Sequence, residues 1–218
     1  MCGRYALASS TDELVEAFDV PVPTFEWAPR YNVAPSQRAP VVAEDSRGRR
    51  MGLLTWGLAP GWMDDPGPGF INARSESVHT KPAFRDAFER RRCLVPADGF
   101  YEWAQEGRGK VPHWLHPAGG GVLSFAGLWD TWSRPGADPR HTFTILTTGA
   151  NGEVRPIHDR MPVVIVPDSR DAWLSRDTDS AALRALLRPA PDGAFLVRRV
   201  STRVNKTVED DAGLLEEV

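Results

Sequence analysis

The sequence predicts an α+β fold, in which a mostly antiparallel, curled and barrel-like β-sheet is flanked by a few helices. Short apolar runs typical of strands recur along the chain, helical periodicity is confined to a few short stretches, and the sequence contains no internal repeat. A chain of 218 residues with 41% hydrophobic residues can bury a sizeable core. We therefore expect one domain over residues 1–218, in which about the last 13 residues form a tail.

The predicted elements follow from local patterns. Ser10 and Glu13 form a capping box, which predicts a short helix with Leu14, Ala17 and Phe18 on its inner face. In the first half of the chain the further elements are a turn-rich loop at 30–37, strands at 39–43 and 51–57, a Pro/Gly-rich loop at 60–69, an extended segment at 71–76 and a helix at 81–92. In the second half they are strands at 93–96, 99–103, 112–115, 122–129, 141–147 and 194–200, and helices at 168–174 and 180–187.

Composition and charge exclude several classes of protein. No apolar run reaches the roughly 18 residues of a membrane span, and no secretory signal is visible, so we expect a cytoplasmic protein without a membrane partner. Two cysteines give no disulfide framework, and neither CxxC nor HExxH is present, so we expect no metal and no cofactor. A net charge of -3 argues against bulk electrostatic coating of nucleic acid but allows a local basic groove.

Cys2 is the residue with the most distinctive chemistry. It directly follows Met1 and is small enough for a methionine aminopeptidase to remove Met1 and expose it. A terminal cysteine is a 1,2-aminothiol whose amine and thiol have reference pKa values of about 7.7–8.0 and about 8.5. Such a group can condense with an aldehyde and close to a thiazolidine, or it can attack an acyl group. The alternative is a frayed terminal residue without a role.

Glu102 and His158 are candidates for proton transfer. The strand period places Glu102 on one face with Phe100, and Tyr101 and Trp103 on the other, so that aromatic neighbours would desolvate the carboxyl and raise its pKa. A solvent-facing strand residue remains the alternative. His158 precedes an aspartate in a proline-flanked loop, where it is either a surface residue or, if it faces the same cleft as Glu102, a proton shuttle.

A polar pair and several tryptophans suggest contacts with a polar, phosphate-bearing partner. Asn72 and Arg74 lie two residues apart in an extended segment and would project to the same face, where an amide and a guanidinium can hold an adduct and a phosphate. Trp62, Trp103 and Trp129 could stack on unpaired bases, although each is as well explained as a core residue.

Several spaced motifs together resemble the SOS-response-associated-peptidase (SRAP) family. The resemblance runs in order from Cys2 to about residue 205, essentially the whole chain. The motifs that carry it are Cys2-Gly3-Arg4-Tyr5, Tyr31-Asn32-Val33-Ala34-Pro35, Trp56-Gly57, Pro60-Gly61-Trp62, Ile71-Asn72-Ala73-Arg74-Ser75-Glu76, Arg92-Cys93, Asp98-Gly99-Phe100-Tyr101-Glu102-Trp103 and Ile157-His158-Asp159-Arg160-Met161-Pro162. One departure is Met63, which stands where the family often has a second aromatic residue.

The resemblance implies a protein that senses abasic sites in single-stranded DNA and protects them by a covalent thiazolidine crosslink. It implies Cys2 as the nucleophile through both amine and thiol, Asn72 as the residue that holds the adduct, Glu102 as proton donor and acceptor, and His158 as an aid to proton transfer. The implied DNA-binding residues are Arg4, Arg74, Arg160, Trp62 and Trp103.

The resemblance further implies a lyase-type ability and a monomer associated with the nucleoid when it is bound to damaged DNA. Two other classes compete with this interpretation. An N-terminal-nucleophile cysteine hydrolase or autopeptidase would depend on Cys2 without a DNA groove. A non-catalytic single-strand-binding module would depend on Arg and Trp residues but not on Cys2.

Overall fold

The computed structural model describes residues 2–65, 67–136 and 138–218. Its strands form two β-sheets of unequal size. The strands are β1 Tyr5–Leu7, β2 Arg30–Val33, β3 Arg38–Asp45, β4 Gly48–Trp56, β5 Asn72–Arg74, β6 Arg92–Ala97, β7 Gly99–Glu106, β8 Gly109–Pro117, β9 Leu123–Trp132, β10 Arg140–Gly149, β11 Arg160–Pro162 and β12 Phe195–Arg199. The α-helices are α1 Thr11–Phe18, α2 Arg85–Arg90, α3 Arg170–Leu174 and α4 Ser180–Ala185. Short 3-10 helices lie at Pro167–Ser169, Thr202–Asn205 and Ala212–Leu215.

The described strands pair mostly in antiparallel fashion. The smaller sheet has the order β12-β8-β7-β1-β2. The larger has the order β11-β10-β4-β3-β6-β9, with β5 added beside β10, and β9 also pairs with β10, which curls the sheet. The parallel pairs in the described chain are β10 with β4 and β10 with β5. The predicted α+β class with a mostly antiparallel, curled sheet is confirmed.

The main core lies between the two sheets. Tyr5 of β1 packs on Trp56 of β4 with ring centroids 5.2 Å apart, and Phe100 of β7 meets Phe125 of β9 at 6.0 Å. A second apolar cluster lies on the other face of the smaller sheet, where Tyr101 packs against Trp114 and buried residues of the C-terminal segment such as Leu214. Consecutive residues of β7 therefore contact different cores, as the strand period requires.

Helix α1 has the predicted start and inner face. Ser10 accepts a hydrogen bond from the Glu13 backbone, and the Glu13 carboxylate accepts one from the Ser10 backbone at 2.6 Å. Leu14 and Phe18 are buried, and Ala17 packs against the core from its edge. No helix in the described part of the chain is long and apolar enough to cross a membrane.

Two local predictions are wrong. The helix expected at 81–92 covers only Arg85–Arg90, because Arg92 begins β6 and Phe84 supplies no side-chain cap at the helix start. The turn-rich loop expected at 30–37 contains β2, which pairs with β1 through Tyr5 opposite Val33. That pairing comes from a distant part of the chain, which local turn signals do not reveal.

Arg92 ties two helix ends to the larger sheet. Its buried guanidinium donates to the Phe88 and Glu89 carbonyls in the last turn of α2 at 2.6 and 2.7 Å. It also donates to the carbonyls of Trp173 and Ser175 around the end of α3, at 2.7 and 2.6 Å. Carbonyls at a helix C-terminus lack partners within the helix, so a cation there satisfies them and complements the helix dipole.

We expect Arg92→Lys to lower the free energy of unfolding by about 3 kcal/mol. The lysine ammonium lacks the planar guanidinium and cannot donate hydrogen bonds to all four carbonyls. The measurement is urea denaturation followed by tryptophan fluorescence. Arg90→Lys, at an exposed position of α2, is the matched control and should change stability by less than about 0.5 kcal/mol. Equal effects of the two variants would contradict the capping role.

Candidate active site

Glu102 is a buried carboxyl on β7. Only 2% of the residue is exposed, and Phe100, its neighbour on the same strand face, belongs to the main core. Burial in this environment, aided by the negative charge of Asp159, raises the pKa of Glu102 to about 7. The carboxyl can therefore exchange a proton in the range where general acid–base catalysis is effective.

Cys2 lies beside Glu102 at the point where the pairing of β1 with β7 ends. Tyr5 and Ala6 of β1 pair with Phe100 and Gly99, and the Tyr101 amide donates to the Arg4 carbonyl at 3.0 Å. Beyond this pairing Cys2 lies close enough to Glu102 for the negative charge of the Glu102 carboxylate to act on the Cys2 thiol. Cys2 is fully buried.

The Cys2 thiol is not an ordinary exposed thiol. Its pKa is raised by burial first and by the negative charge of Glu102 second, and these effects outweigh a hydrogen bond from the Arg4 backbone. The reference thiol pKa of about 8.5 therefore does not describe Cys2 in this fold. The sulfur is protonated at neutral pH and needs a base to become a nucleophile.

Asn72 joins the larger sheet to Cys2. It lies on β5, opposite Ile145 of β10, and its Nδ2 donates to the Cys2 carbonyl at 2.8 Å. Its Oδ1 is buried and accepts no hydrogen bond from the described residues. A hydroxyl or amine of a bound substrate would satisfy that oxygen.

His158 has two polar neighbours at one ring nitrogen. Its Nδ1 lies 2.9 Å from the Arg160 backbone nitrogen and also contacts the Asp159 carboxylate. Burial lowers the pKa of His158, and the carboxylate of Asp159, 3.0 Å from Nδ1, partly opposes that effect. The lowered pKa favours the neutral imidazole, which can accept or donate a proton.

A pocket of about 370 Å³ brings these groups together. It is lined by Glu102, Trp103, Lys110, His158 and Asn205. The sequence-based expectation that Glu102 and His158 share one cleft agrees with this lining. Asn72 and Cys2 lie next to it through the Asn72–Cys2 hydrogen bond and the electrostatic effect of Glu102 on the Cys2 thiol.

The three candidate DNA-binding arginines have different surroundings. Arg74 is exposed on β5. Arg160 forms a bidentate pair with Glu76, with Nη–Oε distances of 2.5 and 2.9 Å, and donates to the Thr147 carbonyl at 2.6 Å. Arg4 is half-buried. Of these three described arginines, Arg74 is the exposed residue.

Arg4 and the tryptophans complete the surroundings of the pocket. Nη1 of Arg4 donates to Asn32 Oδ1 at 2.7 Å and to the Val204 carbonyl at 2.6 Å. The Arg4 guanidinium also lies 6.0 Å from the Trp103 ring centre. Trp62 is 63% exposed in the loop between β4 and β5, whereas Trp129 packs against the main core. An exposed Trp62 is available for stacking, and Trp129 is explained by packing.

Comparison with known proteins identifies the family. Residues 1–207 match the family described as SOS response associated peptidase (SRAP). The chain belongs to this family. It is 39% identical over 222 residues to the abasic site processing protein YoaM of Bacillus subtilis, with 99% of this chain and 98% of YoaM covered. It is 30% identical over 226 residues to the abasic site processing protein YedK of Escherichia coli, with both chains fully covered.

The SRAP fold is also that of a solved structure from Bacteroides thetaiotaomicron. That structure superposes on the whole chain with a TM-score of 0.90 at 22% identity, a likeness that concerns the fold alone. Within the described residues of this SRAP chain, no group of three or more His, Cys, Asp or Glu side chains is arranged to hold a metal ion.

Sequence reasoning missed three residues around the site. Glu76 holds Arg160, Lys110 lines the pocket, and Asn205 accepts a hydrogen bond from the Trp103 indole N–H at 2.7 Å. A predicted β7–β8 hairpin could have identified Lys110, because the antiparallel register makes Lys110 a diagonal neighbour of Trp103. Asn205 comes from the distant C-terminal segment, and no local signal marks it.

The pKa of Glu102 predicts a pH-dependent difference in stability. Its folded value of about 7 exceeds its ordinary value of 4.5, so the folded state binds more protons than the unfolded state between these values. The free energy of unfolding then falls as pH rises through this window. Glutamine does not ionise, so Glu102→Gln lacks this decrease in the free energy of unfolding. The variant should be about 1–3 kcal/mol more stable than wild type between about pH 4.5 and pH 8.

Urea denaturation at several pH values measures this difference. Glu106→Gln is the matched control, because Glu106 lies on the same strand but is exposed. The control should follow the wild-type curve. Parallel curves for wild type and Glu102→Gln would show that Glu102 is ionised in the folded protein at pH 5.

Proposed function

We propose that this protein processes abasic sites in single-stranded DNA and forms a thiazolidine crosslink through Cys2 once Met1 is removed. The observation that carries the proposal is the juxtaposition of Cys2 with Glu102 and Asn72 beside a pocket that His158 also lines. The names of the relatives YoaM and YedK support abasic sites as the substrate. Residues 1–218 act as one SRAP domain and as a cytosolic monomer, which a methionine aminopeptidase activates.

The first step is capture of the sugar aldehyde by the amine. A protonated Glu102 donates its proton to the ring oxygen, the C1′–O bond of the ring breaks, and the C1′ hydroxyl gives its proton to solvent as the sugar opens to its C1′ aldehyde. The Cys2 α-amine then attacks C1′, and loss of one water molecule gives an imine. Glu102 is largely protonated below about pH 7, so little negative charge is present to hold the neighbouring amine in its ammonium form.

The second step is ring closure by sulfur. The Cys2 thiol adds to the imine carbon, so that an S–C bond forms and the thiol proton passes to the nitrogen through the Glu102 carboxylate. No water is lost in this step. Because the thiol pKa is raised, sulfur does not react as a free thiolate, and the amine acts first.

Asn72 and His158 have supporting roles in this scheme. Asn72 fixes the Cys2 backbone through the Cys2 carbonyl, and its buried Oδ1 accepts a hydrogen bond from the adduct. His158 assists proton transfer at the sugar, because its imidazole lines the same pocket as Glu102. Proton loss from C2′ of the imine, with cleavage of the C3′–O bond, would give the lyase-type activity.

The DNA strand would run along the basic and aromatic residues around the pocket. Arg74 is exposed and can bind a phosphate directly, whereas Arg160 would exchange or share its pairing with Glu76. Arg4 supports the Trp103 ring from one side. Trp62 is the exposed aromatic side chain that can stack on a neighbouring base.

A crosslinking assay tests the proposal. Met-processed protein incubated with a single-stranded oligonucleotide that contains one abasic site should give a heat-stable shifted band on a denaturing gel. Cys2→Ala should give none, while Cys93→Ala, which removes the other buried cysteine, should crosslink like wild type. Cys2→Ser keeps the α-amine but lacks sulfur, so it should form only a borohydride-trappable imine.

Other results would favour other functions. Turnover of a peptide or amide without any DNA adduct would favour the hydrolase. Equal DNA binding by wild type and Cys2→Ala, with no adduct from either, would favour a simple binding module. A protein that keeps Met1 should not crosslink, because its Cys2 nitrogen is part of a peptide bond and the ring cannot close.

Glu102→Gln should slow crosslinking at saturating DNA by about 100-fold, because it removes the group that gives and takes protons. Affinity for an oligonucleotide with a non-reactive tetrahydrofuran analogue should stay within about three-fold, since no phosphate contact is lost. The wild-type rate should fall as pH rises above about 7, and the variant should lose this descending limb.

Glu106→Gln controls for the loss of a negative charge elsewhere on β7 and should react like wild type. Equal losses of rate and affinity in Glu102→Gln would count against proton transfer by Glu102. A descending limb that persists in the variant would assign the titration to another group.

A further inference from the structure

Lys110 lines the same pocket as Glu102 and His158 and has no role in the chemistry described above. It is an exposed residue of β8, just after the turn at Gly107 and Arg108 that joins β7 to β8. Its ammonium is a flexible point charge, which suits a phosphate that must be held without a fixed bidentate geometry.

The hairpin register places Lys110 beside Trp103. Gln105 pairs with Lys110 and Trp103 pairs with Pro112, so these four side chains share one face of the hairpin. Lys110 is thus a diagonal neighbour of Trp103. Glu102 projects to the opposite face of β7, and the pocket is lined by residues from both faces of this strand.

The Trp103 ring is held in a fixed orientation. Its Nε1 donates to Asn205 Oδ1 at 2.7 Å, and the Arg4 guanidinium lies 6.0 Å from its centre. Asn205 ends the 3-10 helix Thr202–Asn205, which is anchored by the buried Val204. The side of the pocket that contains Trp103 and Lys110 is therefore held in place by contacts with Arg4 and Asn205.

The charges around the pocket also indicate a need for this cation. Glu102 and Asp159 would repel an anionic strand when both are ionised. Burial raises the pKa of Glu102 and lowers that of His158, and the positive charge of Lys110 adds a lowering effect on both groups. The Lys110 ammonium is thus close enough to act on the reaction centre while remaining open to solvent.

We infer that Lys110, beside the Trp103 ring held by Asn205, is a binding site for the phosphodiester next to the abasic nucleotide. The inference rests on the proposed function. Lys110 belongs to the smaller sheet, whereas the exposed Arg74 belongs to a strand that pairs with the larger sheet. The DNA strand would then contact one exposed cation from each sheet.

The salt dependence of DNA affinity tests this site. The probe is a single-stranded oligonucleotide with one tetrahydrofuran residue, which cannot form an imine, and the dissociation constant is measured by fluorescence anisotropy at several salt concentrations. Lys110→Gln should weaken binding and reduce the slope of log affinity against log salt by about 0.7, the value for one phosphate contact on a single strand. Lys110→Arg should restore the slope.

Arg108→Gln is the matched control, because it removes a cation from the same hairpin outside the pocket lining. Its slope should equal that of wild type. An unchanged slope in Lys110→Gln, or equal losses in Lys110→Gln and Arg108→Gln, would overturn the inference.

Crosslinking at saturating abasic DNA separates this inference from the proposed function. Lys110→Gln should need a higher DNA concentration to reach its half-maximal rate, and Lys110→Arg should need about the wild-type concentration. A large loss of rate at saturation would instead make Lys110 part of the chemistry and overturn its assignment as a phosphate contact. Absence of crosslinking by wild type would refute the proposed function, whereas the slope measurement with the unreactive probe would still decide the role of Lys110.

Discussion

The burial of the Glu102 carboxyl next to Cys2 is the constraint on which the site depends. Both groups ionise to anions, and both lie where water cannot stabilise a negative charge. The two pKa values rise for the same reason, and each anion makes the other less favourable. Glu102 is the weaker base of the two and therefore ionises first. This arrangement gives a carboxyl that can donate or accept near neutral pH and a thiol that stays protonated until a proton acceptor is available.

The two sheets are needed to build this pair into a site. Glu102 lies on β7 of the smaller sheet, and Cys2 precedes β1, which pairs with β7. Asn72 comes from β5, which pairs with residues 145–147 of β10, and β11, which begins at Arg160, pairs with the adjoining residues 147–149. The Asn72–Cys2 hydrogen bond and the Glu76–Arg160 pair fasten these segments together. The site thus lies at the seam between the sheets, where a small relative movement would separate the reacting groups.

Local patterns in the sequence predict some of this structure and not the rest. The alternation along β7 predicts which core Phe100 and Tyr101 face, and the capping box predicts α1, because both depend only on neighbouring residues. The strand at Arg30–Val33 depends on a partner about twenty-five residues earlier in the chain. The raised pKa of the Cys2 thiol depends on burial among distant elements, which its position after Met1 does not reveal. Membership of the SRAP family could be predicted because its motifs are spaced along the whole chain.

The surroundings of the cations suggest how binding and chemistry are kept compatible. The Arg160 guanidinium already forms a bidentate pair with Glu76. A phosphate that binds there replaces a carboxylate, so the binding free energy is only the difference between the two interactions. Lys110 and Arg74 are exposed, and a phosphate that binds them displaces only water and counterions. In the proposed function, attraction of the DNA strand therefore falls mainly to the exposed cations. Arg160 can instead hold the His158 segment in place, since its own backbone amide contacts Nδ1 of that imidazole.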